Sequence, residues 1–109
     1  MDGLVSGRRR TYEDLKKQIM PQVEPLFGEI RNYCFSLGSN VLEDVRMHRI
    51  VFCKSLTFRA FADIEPQRDF VIAKITRDRK EPVRKIEIRP GEDMGELKNA
   101  LRDAYSNIR

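Results

Sequence analysis

The sequence lacks the features that mark membrane and exported proteins. No apolar run approaches the roughly 18 residues of a membrane-spanning helix, so we expect no membrane partner. The first ten residues, MDGLVSGRRR, contain no apolar core of a secretory signal. These absences predict a small cytoplasmic protein.

Residues that commonly carry chemistry are also scarce. The chain has one histidine and two cysteines, at spacings unsuited to a structural zinc site. Its glycines form no phosphate-binding loop, and His48 lies among basic residues with no carboxylate to orient it as a base. We therefore expect no metal, no cofactor and a non-enzymatic protein. Cys34 and Cys53 are predicted to be buried free thiols.

Charge is plentiful but unevenly distributed. The 109 residues carry a net charge of +4, and their number fits one domain. Residues 44–91 contain twelve basic and seven acidic side chains, whereas the flanking segments are close to neutral. We divide the chain into a flexible basic arm over residues 1–10 and a single domain over residues 11–109. The basic middle segment indicates a surface that could bind anions or nucleic acid.

Two kinds of periodicity predict the elements of that domain. Apolar residues spaced three or four apart predict a short helix over 11–19, a break at Pro21, a main helix over 25–37 and a last helix capped by Asp93. Between the helices, β-rich and alternating stretches predict four strands, over residues 45–54, 57–65, 70–76 and 83–89. The connections are too short for crossover helices, so neighbouring strands should be antiparallel. The predicted fold is α+β, in the order α-β-β-β-β-α.

One segment resembles a known family. The stretch FADIEPQ, residues 61–67, is similar to the signature of a family of small domains labelled "predicted transport protein". The resemblance extends upstream to Ile30, Leu37, Gly38 and Val41, and downstream to Leu97, Leu101, Ala104 and Tyr105. It implies the same α+β fold, and it implies no active site.

Alternation along the second predicted strand assigns its side chains to two faces. Phe58, Ala60, Ala62 and Ile64 are predicted to face the helices, so that Arg59 and Phe61 face the other way. Basic side chains interleaved with aromatic rings are typical of single-stranded nucleic-acid binding. The predicted binding face contains Arg59, Phe61, Phe70, Lys74, Lys85 and Arg89. A protein partner or a second copy of the chain is the alternative occupant of that face.

A second hypothesis concerns the acidic residues of the same strands. Asp63, Glu65 and Glu87 could hold a divalent cation, which would make the protein a small hydrolase or nuclease. The structural alternative is that these carboxylates pair with basic residues on neighbouring strands. The absence of a Glu-x-Lys or Asp-x-Lys triplet in the strands favours the structural alternative.

Overall fold

The computed structural model describes residues 9–108. The predicted basic arm, residues 1–10, therefore lies outside this range except for Arg9 and Arg10. Three helices flank a five-stranded sheet: α1 (Tyr12–Lys16), α2 (Glu24–Ser36), β1 (Val41–Val45), β2 (Ile50–Lys54), β3 (Arg59–Pro66), β4 (Val71–Ile75), β5 (Arg84–Ile88) and α3 (Gly95–Asn107). The strands lie in chain order, and every neighbouring pair is antiparallel. The predicted α+β class with an antiparallel sheet is confirmed.

The helix boundaries follow from local chemistry. Thr11 and Asp14 cap α1 reciprocally, each side chain accepting a hydrogen bond from the other residue's backbone amide. Pro25 lies in the first turn of α2, where a missing amide donor costs nothing. The prediction of Asp93 as the cap of the last helix is wrong: Met94 occupies that position, and no side chain caps α3.

The prediction of a single strand over residues 45–54 is also wrong, and the sheet has five strands instead of four. The backbone amide of Arg46 donates to the carbonyl of Arg49 over 2.8 Å, which closes a tight turn at Met47 and His48. The turn separates β1 from β2, which pair with each other. The turn contains neither glycine nor proline. The apolar and β-branched residues on its two sides therefore predict one continuous strand.

All three helices pack on the same side of the sheet. The buried side chains of the helices form one core with those of the strands, including Ile30, Phe52, Ile64 and Leu101. Leu26, Phe27 and Leu97 are buried there as well. Residues that alternate with the core positions point to the opposite side, which has no helical layer among residues 9–108. We call that side the open face.

A β-bulge changes the predicted faces of β3. Phe52 pairs with Ala62 and the next residue, Cys53, pairs with Ala60, so Phe61 is an extra residue in β3. A bulge of this kind reverses the inward and outward alternation along the strand. As a result, Phe61 is fully buried, whereas Phe58 is 74% exposed. The predictions that Phe58 and Ala60 face the helices and that Phe61 faces away are therefore wrong.

Candidate functional site

The open face is built from cross-strand rows of side chains. One row contains Asp44, Val51, Asp63, Lys74 and Lys85, each residue paired with the next on the neighbouring strand. Glu65, Ile72 and Glu87 form the adjacent row. Acidic, basic and apolar groups thus alternate across this face.

Ion pairs neutralise much of the charge on the open face. The Asp63 carboxylate lies 3.1 Å from Nε of Arg49, and the Glu87 carboxylate lies 3.4 Å from Nζ of Lys85. Burial raises the pKa of the Asp63 carboxyl, while Arg49 and Lys74 act in the opposite direction. A face on which opposite charges balance offers little attraction to a polyanion.

The structure separates the six residues of the predicted binding face. Lys74 and Lys85 are direct neighbours on the open face. Alternation places Phe70 and Arg89 on the same face, where the Arg89 guanidinium lies 5.1 Å from the centre of the Phe70 ring. Phe61 instead packs in the core, its ring 5.5 Å from that of Tyr105. Arg59 lies elsewhere, in a pocket at the end of α3.

The three predicted acidic residues do share the open face, but without converging on one point. Asp63 and Glu65 are two residues apart on β3, and Ile72 lies between Glu65 and Glu87 in their row. Within residues 9–108, no group of three or more His, Cys, Asp or Glu side chains is placed to hold a metal ion. The geometry of this part of the chain adds no support to the hydrolase hypothesis.

Basic side chains gather instead at one end of the molecule, around the last turn of α3. A pocket of about 230 Å³ is lined by Arg59, Asp78, Arg79, Lys80, Asn107 and Ile108. A second pocket, of about 410 Å³, shares Asn107 and Ile108 with the first and is also lined by Lys54, Leu56 and Thr57. We call the four basic residues of these pockets, Lys54, Arg59, Arg79 and Lys80, the basic end.

Among residues 9–108, none of these four cations has an acidic partner. Among the described residues, no carboxylate lies within 4.0 Å of the charged groups of Arg59, Arg79 or Lys80. Asp78, the acidic residue of the first pocket, accepts a hydrogen bond from the backbone amide of Lys80 over 2.9 Å. These side chains therefore keep their charge available to a ligand.

The fourth cation is held in place by α3. Nζ of Lys54 donates to the carbonyl of Ile108 over 2.9 Å and lies 4.6 Å from the centre of the Tyr105 ring. The Tyr105 hydroxyl in turn donates to Asn40. A Cβ atom on Gly38 would overlap that hydroxyl, so a larger residue at this position would force the Tyr105 ring to shift.

Two exposed apolar side chains lie beside the basic end. They belong to the turn between β2 and β3, where Leu56 is 86% and Phe58 is 74% exposed. The amide of Phe58 donates to the carbonyl of Lys54 over 2.7 Å, and Phe58 has a φ of 55°, in the left-handed region. Phe58 is thus an exposed aromatic residue directly before Arg59 in the chain, and it lines neither of the two pockets.

Sequence reasoning missed Phe58, Arg79 and Lys80 as candidate site residues. Ser55 and Thr57 are turn-forming residues on either side of Leu56, and they could have identified a turn ending at Phe58. No sequence pattern connects residues 54–59 with residues 78–80, because the sheet brings these two turns together.

Comparisons of the chain with models of protein families, with curated proteins and with solved structures found no match. The resemblance to the family labelled "predicted transport protein" therefore stays a prediction. None of the helices within residues 9–108 has the length and apolar character needed to cross a membrane.

Proposed function

We propose that this protein is a non-enzymatic binding module that holds single-stranded nucleic acid at its basic end. The observation that carries the proposal is a pocket lined by Arg59, Arg79 and Lys80, none of which has a carboxylate within 4.0 Å among residues 9–108. The exposed Phe58 directly precedes Arg59 in the chain. Proteins that bind single strands combine cations for the phosphates with aromatic rings for the bases.

Each residue has a distinct role in this proposal. Arg59, Arg79 and Lys80 contact phosphate oxygens, and the planar guanidinium groups of the two arginines can each donate two hydrogen bonds to one phosphate. The Phe58 ring stacks on a base. This assignment replaces Phe61, which the core covers completely. It also explains why binding needs no sequence-specific reading of base edges, since every base has a face on which a ring can stack.

The charge distribution favours the basic end over the open face as the binding surface. Arg49, Arg46 and Lys85 on the open face each lie within 4.0 Å of a carboxylate, so a phosphate would have to compete with an existing ion pair. At the basic end, no described carboxylate lies within 4.0 Å of Arg59, Arg79 or Lys80, so a phosphate would break no ion pair among residues 9–108.

A cytoplasmic location is part of the proposal. Cys34 is a free thiol in the core, and Cys53 is a free thiol on the open face. Free cysteines are typical of reducing compartments.

Fluorescence anisotropy with short labelled DNA and RNA strands, at two salt concentrations, tests the proposal. Arg59→Ala, Arg79→Ala and Lys80→Ala should each weaken binding and reduce its salt dependence by about one counterion. Phe58→Ala should weaken binding by about 1–3 kcal/mol without changing the salt dependence.

Matched controls lie at the opposite end of the strands. Arg68→Ala removes an exposed arginine from the turn between β3 and β4, and Met47→Ala removes an exposed apolar side chain from the turn between β1 and β2. Both variants should bind like the unchanged protein. No binding at micromolar protein in low salt would refute the proposal, as would equal losses in the controls and in the basic-end variants.

A further inference from the structure

The outer edge of β5 is open to pairing with another strand. Among residues 9–108, β5 pairs with β4 alone and is the last strand of the sheet. Its other side therefore presents backbone amide and carbonyl groups that have no ladder partner in this part of the chain. A groove of about 390 Å³ lies between this strand and α3, with Ile86, Ile88 and Leu97 as its apolar residues and Glu92, Asp93 and Glu96 as acidic ones.

The charges of β5 are arranged so that the strand complements a second copy of itself. Lys85 and Glu87 lie on the open face, on either side of Ile86, which lies on the helix side. When two copies of β5 run antiparallel with Ile86 opposite Ile86, each Lys85 stands opposite Glu87 of the second copy. Opposite charges facing each other across two antiparallel strands stabilise the pair.

The pleat and the charges select this register over its neighbours. Residues that face each other across two antiparallel strands point to the same side of the sheet. A symmetric pair of β5 strands must therefore be centred on a residue. Shifting one strand by a single residue would place residues of the open face opposite residues of the helix side, so that shift is excluded. Centring the pair on Lys85 places two lysines opposite each other, and centring it on Glu87 places two glutamates opposite each other. Like charges in these positions are destabilising.

We propose that two copies of the chain form a dimer by antiparallel pairing of β5 with β5, centred on Ile86. The pairing joins the two five-stranded sheets into one sheet of ten strands, with both helical layers on the same side. It is independent of nucleic-acid binding, because the basic end contributes no residue to it.

The residues of β5 on the helix side of the sheet also complement those of the second copy. In this register Arg84 of one copy stands opposite Ile88 of the other, at the groove that contains Glu92 and Asp93. In the single chain, Arg84 is paired with Glu96, and both side chains are more than half exposed. Such an exposed pair contributes little, so Arg84 can exchange it for the carboxylates of the second copy.

The opposite edge of the sheet does not repeat this arrangement. A symmetric pairing of β1 centred on Glu43 would place two glutamates opposite each other, and Glu43 already accepts two hydrogen bonds from Arg31. Pairing at β5 alone gives a closed dimer instead of a filament.

Sedimentation velocity from micromolar to millimolar protein tests the dimer, with charge reversals at the edge. Lys85→Glu and Glu87→Lys each replace two attractive cross-strand pairs by two repulsive ones, and each should weaken the dimer by about 10- to 100-fold. The double variant Lys85→Glu/Glu87→Lys restores opposite charges and should dimerise like the unchanged protein. Lys17→Glu, the reversal of an exposed charge at the end of α1, is the control and should leave the dimer intact.

Circular dichroism of every variant separates loss of dimer from loss of fold. Amide hydrogen exchange should show concentration-dependent protection in β5 and none in β1. A protein that stays monomeric at millimolar concentration overturns the proposal. A dimer that survives both single reversals, or a folded double variant that stays monomeric, also overturns it.

Discussion

Replacing Phe61, the extra residue of the bulge, and Phe58, in the turn before β3, one at a time gives the sharpest test of the fold. Phe61 is fully buried, and its ring contacts that of Tyr105 edge to face. Phe61→Ala should therefore lower the free energy of unfolding by about 3–5 kcal/mol, the usual cost of emptying a buried aromatic site. Phe58 is 74% exposed, so Phe58→Ala should change it by no more than about 0.5 kcal/mol.

A third variant tests the backbone of the turn. Phe58 has a φ of 55°, a conformation that costs a residue with a side chain about 1–2 kcal/mol. Phe58→Gly removes that cost, although glycine also gains freedom in the unfolded chain. We expect the variant to be as stable as the unchanged protein or up to about 1 kcal/mol more stable.

Urea unfolding followed by circular dichroism measures all three variants. A domain of this size has a free energy of unfolding of about 5–15 kcal/mol and a slope of about 1–3 kcal/mol per molar urea, so Phe61→Ala should move the midpoint by roughly 1–5 M. Phe61→Leu, a smaller change at the same site, keeps the comparison measurable if the alanine variant does not fold. A loss below about 1 kcal/mol for Phe61→Ala, with a larger loss for Phe58→Ala, would show that β3 has no bulge.

Three further predictions concern contacts between elements. A Cβ on Gly38 would overlap the Tyr105 hydroxyl, so Gly38→Ala should lower the free energy of unfolding, measured in urea, by about 1–3 kcal/mol. Adding Tyr105→Phe should recover part of that loss, and purely additive losses would contradict the contact. Burial raises the pKa of the Cys34 thiol from 9.0 to about 12, so the unfolded chain ionises first and the free energy of unfolding should fall as the pH rises across that range. In the Cys34→Ala variant the free energy of unfolding should fall less steeply with pH, by up to about 1.4 kcal/mol per pH unit. A pH profile identical to that of the unchanged protein would contradict the burial of the Cys34 thiol. Arg31 donates two hydrogen bonds of 2.8 Å to Glu43, so Glu43→Gln should lower the free energy of unfolding by about 1.5–3 kcal/mol. A loss below about 0.5 kcal/mol would show that this ion pair contributes no more than an exposed surface pair.

Local chemistry was enough to predict the elements that have a strong period or a clear boundary. The apolar spacing of residues 25–37 predicted α2, and that of residues 11–19 predicted α1, because both depend on contacts within a few turns of one helix. The short connections predicted an antiparallel sheet, since a parallel pair needs a longer crossover. The turn at Met47 and His48 was missed because neither residue has the backbone preference that usually marks a turn.

The candidate site was harder to predict because it depends on residues distant in the chain. Lys54 and Arg59 come from one turn, and Arg79 and Lys80 come from another that the sheet places beside it. Four of the six residues predicted for the binding face do lie on the open face, where simple alternation holds. Phe61 and Arg59 do not, because both belong to the part of β3 that the bulge affects.

The sequence by itself determined the α+β class, the helices and the burial of Cys34, since each follows from the spacing of apolar residues along the elements. It determined the antiparallel order as well, through the short connections between strands. Only the tertiary structure decided that Phe61 is buried and Phe58 exposed, and that the unpaired cations meet at one end. A bulge adds one residue to a strand without changing its composition, so no local pattern marks it. Its position is decided by cross-strand hydrogen bonds and by the gain from burying Phe61 against Tyr105, and both depend on strands and a helix that are far apart in the chain.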